Sequence, residues 1–221
     1  MDTTLPKGVI FDMDGVLVDS ERFICKAAIE MFAGKGVQVK PEDFLPFVGT
    51  GENRFIGGVA EKYKITLDID KDKSRTYDIY EQLIKGQLKP LEGVHDFIKL
   101  CRTRGKKIAV ASSADMRKVR ANLTEIGLGL DTFDAVITGE DVENKKPSPD
   151  IFLLAAKRIG LDPSHCLVVE DAINGVAAAK AAGAKCLAVM SCFSREQLSQ
   201  ADWVSTDLAH IPAAVLQWEN K

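Results

Sequence analysis

The 221-residue sequence has few of the residues that mark metal-stabilised or secreted proteins. Histidine occurs only three times, and the five cysteines stand at irregular spacing without a Cys-x-x-Cys pair. Because structural zinc sites need several such ligands at short spacing, we expect no zinc site. Cysteines without an evident pairing pattern are typical of reducing compartments, so we expect a cytoplasmic protein.

Long apolar runs and a strong excess of one charge are also missing. No apolar stretch approaches the roughly 18 residues that a membrane span requires, and residues 1–7 do not resemble a signal peptide. The 29 Lys and Arg residues nearly balance the 32 Asp and Glu residues, which leaves a formal net charge of −3. A chain without positive excess does not attract polyanions. We therefore expect no binding to nucleic acid or membranes, and we take a monomer as the simplest assembly.

The sequence does contain enough apolar material for a core, since 46% of its residues are hydrophobic. The first short apolar run, residues 8–11, is typical of a buried strand. From about residue 20 to residue 85 the apolar residues follow helical spacing, and strand signals are absent. We predict a strand followed by a small helical unit.

After residue 88, predicted helices and strands alternate. The predicted strands are 108–111, 135–137, 166–169 and 185–189, and the helices lie near 94–104, 116–126, 151–159 and 175–182. This alternation predicts an α/β fold, namely a Rossmann-like, mostly parallel sheet with helices on both faces. The small all-helical cap is then an insertion after the first strand. We predict a core domain formed by residues 1–19 and 88–221 and a cap domain formed by residues 20–87.

Polar residues follow four of the predicted strands. They are Asp12 and Asp14, then Ser112 and Ser113, then Lys145 and Lys146 before a proline, and finally Glu170 and Asp171. Ligands bind at the carboxyl ends of the strands in open parallel sheets. Each motif taken alone also fits an ordinary turn, a helix cap or a solvated loop. Their joint placement at strand ends favours a single site.

These residue types suit phosphate chemistry. Carboxylates from two strands offer oxygen ligands to a hard cation, and we expect Mg²⁺. A lysine and a serine hydroxyl can hold phosphate oxygens. One carboxylate can attack phosphorus, while a second serves as general acid and base.

Four ordered segments of the chain resemble the motifs of the haloacid dehalogenase superfamily. They are residues 11–20 (FDMDGVLVDS), 111–113 (ASS), 146–152 (KPSPDIF) and 169–176 (VEDAINGV). The resemblance extends over essentially the whole chain. The helical insertion matches the position of the cap in the β-phosphoglucomutase and phosphatase-like subgroup.

The resemblance implies roles for individual residues. Asp12 would be the nucleophile and Asp14 the general acid and base. Ser112, Ser113 and Lys146 would bind the transferred phosphoryl group. An aspartate at position 14 is typical of the phosphoryl-transferring members rather than of the dehalogenases.

The resemblance also implies a Mg²⁺ site. Its ligands would be Asp12, the main-chain carbonyl of Asp14, and Asp171, with Glu170 close by. The implied reaction is hydrolysis of a small phosphorylated metabolite, with sugar phosphates favoured, through an aspartyl-phosphate intermediate.

A β-phosphoglucomutase-type phosphomutase is the alternative. The mutase pattern has a histidine where this chain has Phe23 and Ile24, and a Ser-Lys-Asn where this chain has residues 114–116 (ADM). Its cap arginine is displaced here, within the loop that holds Gly51, Glu52 and Arg54, which we take as candidates for specificity. These departures favour a phosphatase. A phospho-accepting signalling module is a third reading, and the chain length and the position of Asp12 on the first strand argue against it.

Overall fold

A computed structural model describes residues 5–218. The strands are β1 Gly8–Phe11, β2 Lys107–Ala111, β3 Ala135–Ile137, β4 Cys166–Glu170, β5 Lys185–Val189 and β6 Trp203–Ser205. The helices are α1 Glu21–Ala33, α2 Glu52–Tyr63, α3 Ile69–Ile84, α4 Val94–Thr103, α5 Met116–Glu125, α6 Asp150–Arg158 and α7 Ile173–Ala181. Single 3-10 turns lie at Pro41–Asp43, Leu45–Phe47, Leu130–Thr132, Gly139–Asp141, Pro163–His165 and Ala213–Leu216.

The six strands form one sheet in the order β3-β2-β1-β4-β5-β6, and all neighbouring pairs are parallel. Parallel strands need crossover connections, and helices supply most of them here. The predicted α/β fold is therefore confirmed. The strands β1 and β4 lie side by side at the centre, with Phe11 opposite Val169 in the register.

The central strands are buried because both faces of the sheet are covered. Successive side chains of a strand point to opposite faces. Accordingly Val9 and Phe11 pack in one apolar cluster, whereas Ile10 packs in a second cluster with Val168. A strand buried on both sides needs a continuous apolar run, which is the signal that predicted β1 from the sequence.

The edge strand β6 was not predicted. It has three residues, two of them only partly buried, and it pairs with β5 alone. A short, half-exposed strand at an edge lacks the apolar run that reveals a central strand. Its Trp203 ring packs against Trp218, with 5.5 Å between the ring centroids.

The helices α1, α2 and α3 form the helical insertion, residues 21–84, between β1 and α4. Apolar residues at helical spacing give α1 a buried face that packs against α3. Phe44 packs between Phe32 and Phe55, at 6.2 Å and 4.8 Å between ring centroids. The apolar cluster of the insertion continues into the face of the sheet that carries Phe11. The division into two domains stays a prediction.

Across residues 5–218, none of the helices combines the length and the apolar character needed to cross a membrane.

Gly93 is the N-cap residue of α4, and its backbone lies against the main chain of Leu208 and Ala209. Its φ of 80° is in the left-handed region, and an added Cβ would lie 2.2 Å from the main-chain nitrogen of Ala209. A side chain at position 93 would therefore combine backbone strain with a clash against main-chain atoms that cannot rotate away.

We expect Gly93→Ala to lower the free energy of unfolding by about 3 kcal/mol or more. The matched control is Gly105→Ala, where φ is 66° but an added Cβ meets no atom within 4 Å, and the expected cost is about 1 kcal/mol. Urea unfolding of both variants measures the difference. Equal destabilisation would show that the contact with the loop at Ala209 is unimportant.

Candidate active site

The carboxyl ends of β1 and β4 bring three carboxylates together. Asp12 follows β1 directly, and its N–H donates a hydrogen bond of 2.9 Å to the carbonyl of Val169 on β4. Glu170 ends β4, and Asp171 follows it. All three acidic residues are buried. The predicted convergence of these side chains is therefore present in the structure.

The buried ammonium of Lys146 joins two of these carboxylates. Its Nζ lies 2.6 Å from Oδ1 of Asp12 and also donates a hydrogen bond to Oε1 of Glu170. The ammonium lies 4.8 Å from the centre of the Phe152 ring. The ammonium of Lys146 thus contacts the end of β1, the end of β4 and the first turn of α6.

Glu170 is held from both sides. Its Oε2 accepts hydrogen bonds from the main-chain N–H groups of Asp171 and Ala172, at 2.8 Å and 2.9 Å, while Oε1 accepts from Lys146. Gly175 leaves room for this carboxylate, because an added Cβ would lie 1.9 Å from Glu170. The arrangement fixes Glu170 as the group that orients Lys146, whereas its predicted place beside a metal stays a prediction.

The charges at the strand ends do not balance. Burial, and then the negative charge of Glu170, raise the pKa of Asp12 to about 7, although Lys146 opposes this shift. Burial, followed by the charges of Glu170 and Asp12, raises the pKa of Asp171 to about 9. Burial lowers the pKa of Lys146, but the two carboxylates beside it outweigh this effect and raise it overall. Three carboxylates therefore share one ammonium.

This donor set fits a hard divalent cation. Carboxylate oxygens are ligands that Mg²⁺ prefers, and a cation would relieve the excess negative charge. Gly15 leaves space for Asp171, since an added Cβ would lie 1.9 Å from its Oδ2. As the side chains stand, the described residues contain no group of three or more His, Cys, Asp and Glu side chains placed to hold a metal. The implied set uses two carboxylates and the main-chain carbonyl of Asp14, and Lys146 now lies between Asp12 and Glu170.

Asp14 faces the helical insertion. Its Oδ1 accepts a hydrogen bond from the hydroxyl of Ser20, and its Oδ2 lies 3.0 Å from Nζ of Lys118. Ser20 precedes α1 as its N-cap residue but makes no side-chain cap bond. The hydroxyl that could cap α1 therefore orients Asp14 instead.

Lys118 was missed by the sequence analysis. It lies in the first turn of α5 and is buried, with Asp14 on one side and Glu52 of the insertion 3.7 Å away on the other. A signal for it was present, because α5 begins just after the end of β2. A lysine in the first turn of such a helix can reach the edge of the sheet where ligands bind.

The two predicted serines follow β2, the strand beside β1. Ser112 is buried, and its hydroxyl accepts a hydrogen bond of 3.1 Å from the N–H of Ala114. Ser113 lines a small cavity beside Asp14. Both residues thus lie at the same edge of the sheet as Asp12, and their phosphate-binding roles stay predictions.

The three cap residues proposed for specificity lie in different surroundings. Gly51 and Glu52 line the same cavity as Asp14, and Glu52 is buried. Arg54 forms an exposed ion pair with Glu61, with 2.7 Å between Nη1 and Oε1, and its guanidinium lies 5.0 Å from the centre of the Phe47 ring. The structure thus groups Gly51 and Glu52 with Asp14 and pairs Arg54 with a surface glutamate.

Residues 6–183 match the family described as haloacid dehalogenase-like hydrolase. The chain belongs to this family. It is therefore an enzyme of the hydrolase class, and both the predicted family and the prediction of an enzyme are confirmed.

Relatives of this haloacid dehalogenase-like hydrolase include two curated proteins. The chain is 45% identical over 199 residues to the Arabidopsis thaliana protein SUPPRESSOR OF QUENCHING 1, chloroplastic, covering 87% of the chain but only 19% of that protein. It is 33% identical over 176 residues to the Escherichia coli fructose-1-phosphate phosphatase YqaB, covering 80% of the chain and 92% of the relative. The chain thus corresponds to about a fifth of the first relative and nearly all of the second.

A solved structure shares the fold over the full length. CbbY from Rhodobacter sphaeroides, a mutant crystallised with xylulose-(1,5)bisphosphate, superposes with a TM-score of 0.86 at 25% identity. The match covers 97% of this chain and all of that one.

The charge imbalance predicts how stability changes with pH in protein kept free of divalent cations with EDTA. Because Asp171 binds its proton more tightly when folded than when unfolded, the folded state holds more protons between about pH 4 and pH 9. The free energy of unfolding must then fall as pH rises, by up to about 1.4 kcal/mol per pH unit for one such group.

We expect Asp171→Asn to flatten this slope between about pH 6 and pH 8.5, since the amide does not titrate. Thermal and urea unfolding over that range measure the slope. Asp96→Asn, a change in an exposed aspartate of α4, serves as the control and should follow the unaltered protein. Parallel curves for all three proteins would show that folding does not raise the pKa of Asp171.

Proposed function

We propose that the chain is a Mg²⁺-dependent phosphatase that hydrolyses a small phosphorylated metabolite, with sugar phosphates the favoured class, through an aspartyl-phosphate on Asp12. The observation that carries this proposal is the Asp12 carboxylate at the end of β1, held 2.6 Å from Nζ of Lys146. The phosphatase relative YqaB, named for a sugar phosphate, supports the same class of substrate.

Asp12 is suited to attack phosphorus. Its second oxygen, Oδ2, is not the atom bonded to Lys146, so one oxygen can be held while the other reacts. Lys146 offsets the negative charge of an incoming phosphate as well as that of Asp12. In the proposed reaction a covalent bond forms between Asp12 and phosphorus while the bond from phosphorus to the alcohol oxygen breaks.

Asp14 is suited to move the proton. It lines the cavity beyond the strand ends, and Ser20 and Lys118 fix its carboxylate. It would give a proton to the departing alcohol and then accept one from the water that hydrolyses the aspartyl-phosphate. The hydroxyl of Ser112 and the main chain around it would hold phosphate oxygens.

Mg²⁺ would be held by Asp12, Asp171 and the carbonyl of Asp14, and it would neutralise charge on the phosphate oxygens. The residues present fit this role because their negative charge exceeds what Lys146 balances. The oxygen donors come from β1 and β4, whose relative position is fixed by their pairing along Gly8–Phe11.

The helical insertion would act as a movable cap. The cavity between it and the core has a volume of about 40 Å³, far below the roughly 300–1,000 Å³ of pockets that hold small-molecule ligands. A sugar phosphate is much larger, so we infer that the insertion moves away from the core to admit it and then closes to exclude water.

We also infer that the protein works as a monomer in a reducing compartment such as the cytoplasm. The reducing compartment is supported by the cysteines, all five of which are free. Free thiols persist where disulfides are kept reduced.

We expect Asp12→Asn to lower phosphate release from p-nitrophenyl phosphate by about a thousandfold or more, because an amide is a poor nucleophile. The melting temperature should be retained, because the change removes a buried carboxylate of raised pKa. The exposed control Asp96→Asn should keep full activity. Full activity of Asp12→Asn would remove Asp12 from the nucleophile role, and isomerisation of β-glucose 1-phosphate without phosphate release would favour the phosphomutase.

A further inference from the structure

The proposed function uses Lys146 and leaves Lys145, the residue before it, without a role. Lys145 is partly buried in the loop between the turn after β3 and the start of α6. Its Nζ donates one hydrogen bond to the main-chain carbonyl of Gly139 and a second, of 3.1 Å, to that of Val142. The side chain of Lys145 is therefore bonded to the chain that follows β3, whereas Lys146 reaches Asp12 on β1.

The loop that carries Lys146 has little main-chain support of its own. Within residues 5–218, no main-chain N–H of residues 142–146 donates a hydrogen bond to a main-chain carbonyl. Asp150, the first residue of α6, holds the far end of the loop, because its carboxylate accepts hydrogen bonds from the side chains of Asn144 and Ser148. The two bonds from Lys145 hold the near end. The shape of this loop thus depends on side-chain bonds.

The turn to which Lys145 is bonded, Gly139–Asp141, lies against the chain that follows β2. The N–H of Gly139 donates a hydrogen bond of 2.9 Å to the carbonyl of Ala114. The two main chains are so close that an added Cβ at Gly139 would lie 2.2 Å from the carbonyl oxygen of Ser113. The turn is therefore fixed against the segment that is predicted to bind phosphate.

Lys145 thus connects two parts of the site that follow different strands. On one side is the loop that carries Lys146, and on the other is the turn that rests against the segment with Ser112. In the proposed reaction both parts hold oxygen atoms of the same phosphoryl group, so the distance between them must match its size. A displacement of about 1 Å is enough to lower a rate on the order of a hundredfold.

We propose that Lys145 is a positioning residue, whose two hydrogen bonds set the place of Lys146 relative to the segment with Ser112 so that both hold one phosphoryl group. This inference rests on the proposed function, which assigns the phosphoryl group to these two parts of the site. It follows that loss of Lys145 weakens phosphate binding and catalysis through Lys146, while Asp12 stays in place.

Binding of inorganic phosphate tests this proposal independently of turnover. We would measure the affinity of the full chain and of its Lys145→Met variant for inorganic phosphate, by calorimetry with Mg²⁺ present. We expect Lys145→Met to weaken binding about tenfold or more, and to lower kcat/KM for p-nitrophenyl phosphate by about tenfold to a hundredfold. Lys145→Arg keeps donors for both carbonyls, so it should restore most of both losses.

Two control variants separate this effect from a general loss of stability. Lys157→Met removes an exposed lysine of α6 and should leave the phosphate affinity unchanged. Gly105→Ala strains a turn in which an added Cβ meets no atom within 4 Å. This turn lies at the opposite end of β2 from Ser112, so the variant should lower the melting temperature without weakening phosphate binding.

A double-mutant cycle shows whether Lys145 acts through Lys146. If it does, Lys145→Met should weaken phosphate binding by less than about twofold in a chain that already carries Lys146→Met, because the group to be positioned is gone. If Lys146→Met does not fold or binds no measurable phosphate, the comparison of methionine with arginine at position 145 still decides the question.

Equal phosphate affinity in Lys145→Met and the unaltered protein, additive losses in the double variant, no recovery with Lys145→Arg, or no phosphate binding by the unaltered protein would overturn the proposal. Hydrolysis of p-nitrophenyl phosphate separates it from the proposed function. If phosphate binding follows the expectation but the unaltered protein releases no phosphate, the proposed function fails while the role of Lys145 in phosphate binding stands. If Lys145→Met hydrolyses as fast as the unaltered protein, only the role of Lys145 fails.

Discussion

The chemistry of the candidate site depends on three buried carboxylates that lie close to one ammonium at the ends of β1 and β4. Asp12, Glu170 and Asp171 are brought together by the pairing of two strands whose side chains are buried on both faces of the sheet. Because the strands cannot separate without exposing the core, the three carboxylates remain close together. Lys146 relieves part of the repulsion, and in the proposed function the remaining negative charge would favour a divalent cation, which would in turn offset the charge of the phosphate.

The helix α5 connects this charged centre to the helical insertion. Its Arg117 lies on the side of α3, with Nε 2.7 Å from Glu81 and Nη2 2.8 Å from Asp78. The next residue, Lys118, binds Asp14 at the end of β1 instead of a residue of α3. Two successive cations of one helix thus hold the insertion and orient the proposed acid. These pairs differ in burial, since the Arg117 contacts are partly exposed and weak, whereas Lys118 is enclosed.

Much of this arrangement could be predicted from the sequence because the central strands carry apolar runs that end at charged residues. The ends of β1, β2 and β4 gave Asp12, Ser112 and Glu170 directly. The position of Lys118 in the first turn after β2 was a usable signal, but its contact with Glu52 and the burial of Glu52 could not be predicted. Both depend on how the insertion packs against α5, which no local pattern encodes. The edge strand β6 was missed for a related reason, since its residues are held by β5 and not by a strong apolar pattern of their own.

Calorimetric titration of Mg²⁺ into the chain, with and without Asp171→Asn, tests the central claim most directly. The account predicts that one Mg²⁺ binds per chain with release of protons at pH 7, because carboxyls of raised pKa must ionise to bind it. It also predicts that Asp171→Asn weakens this binding at least about tenfold. Equal affinity in the two proteins, or binding without proton release, would contradict the claim that the crowded carboxylates form a cation site.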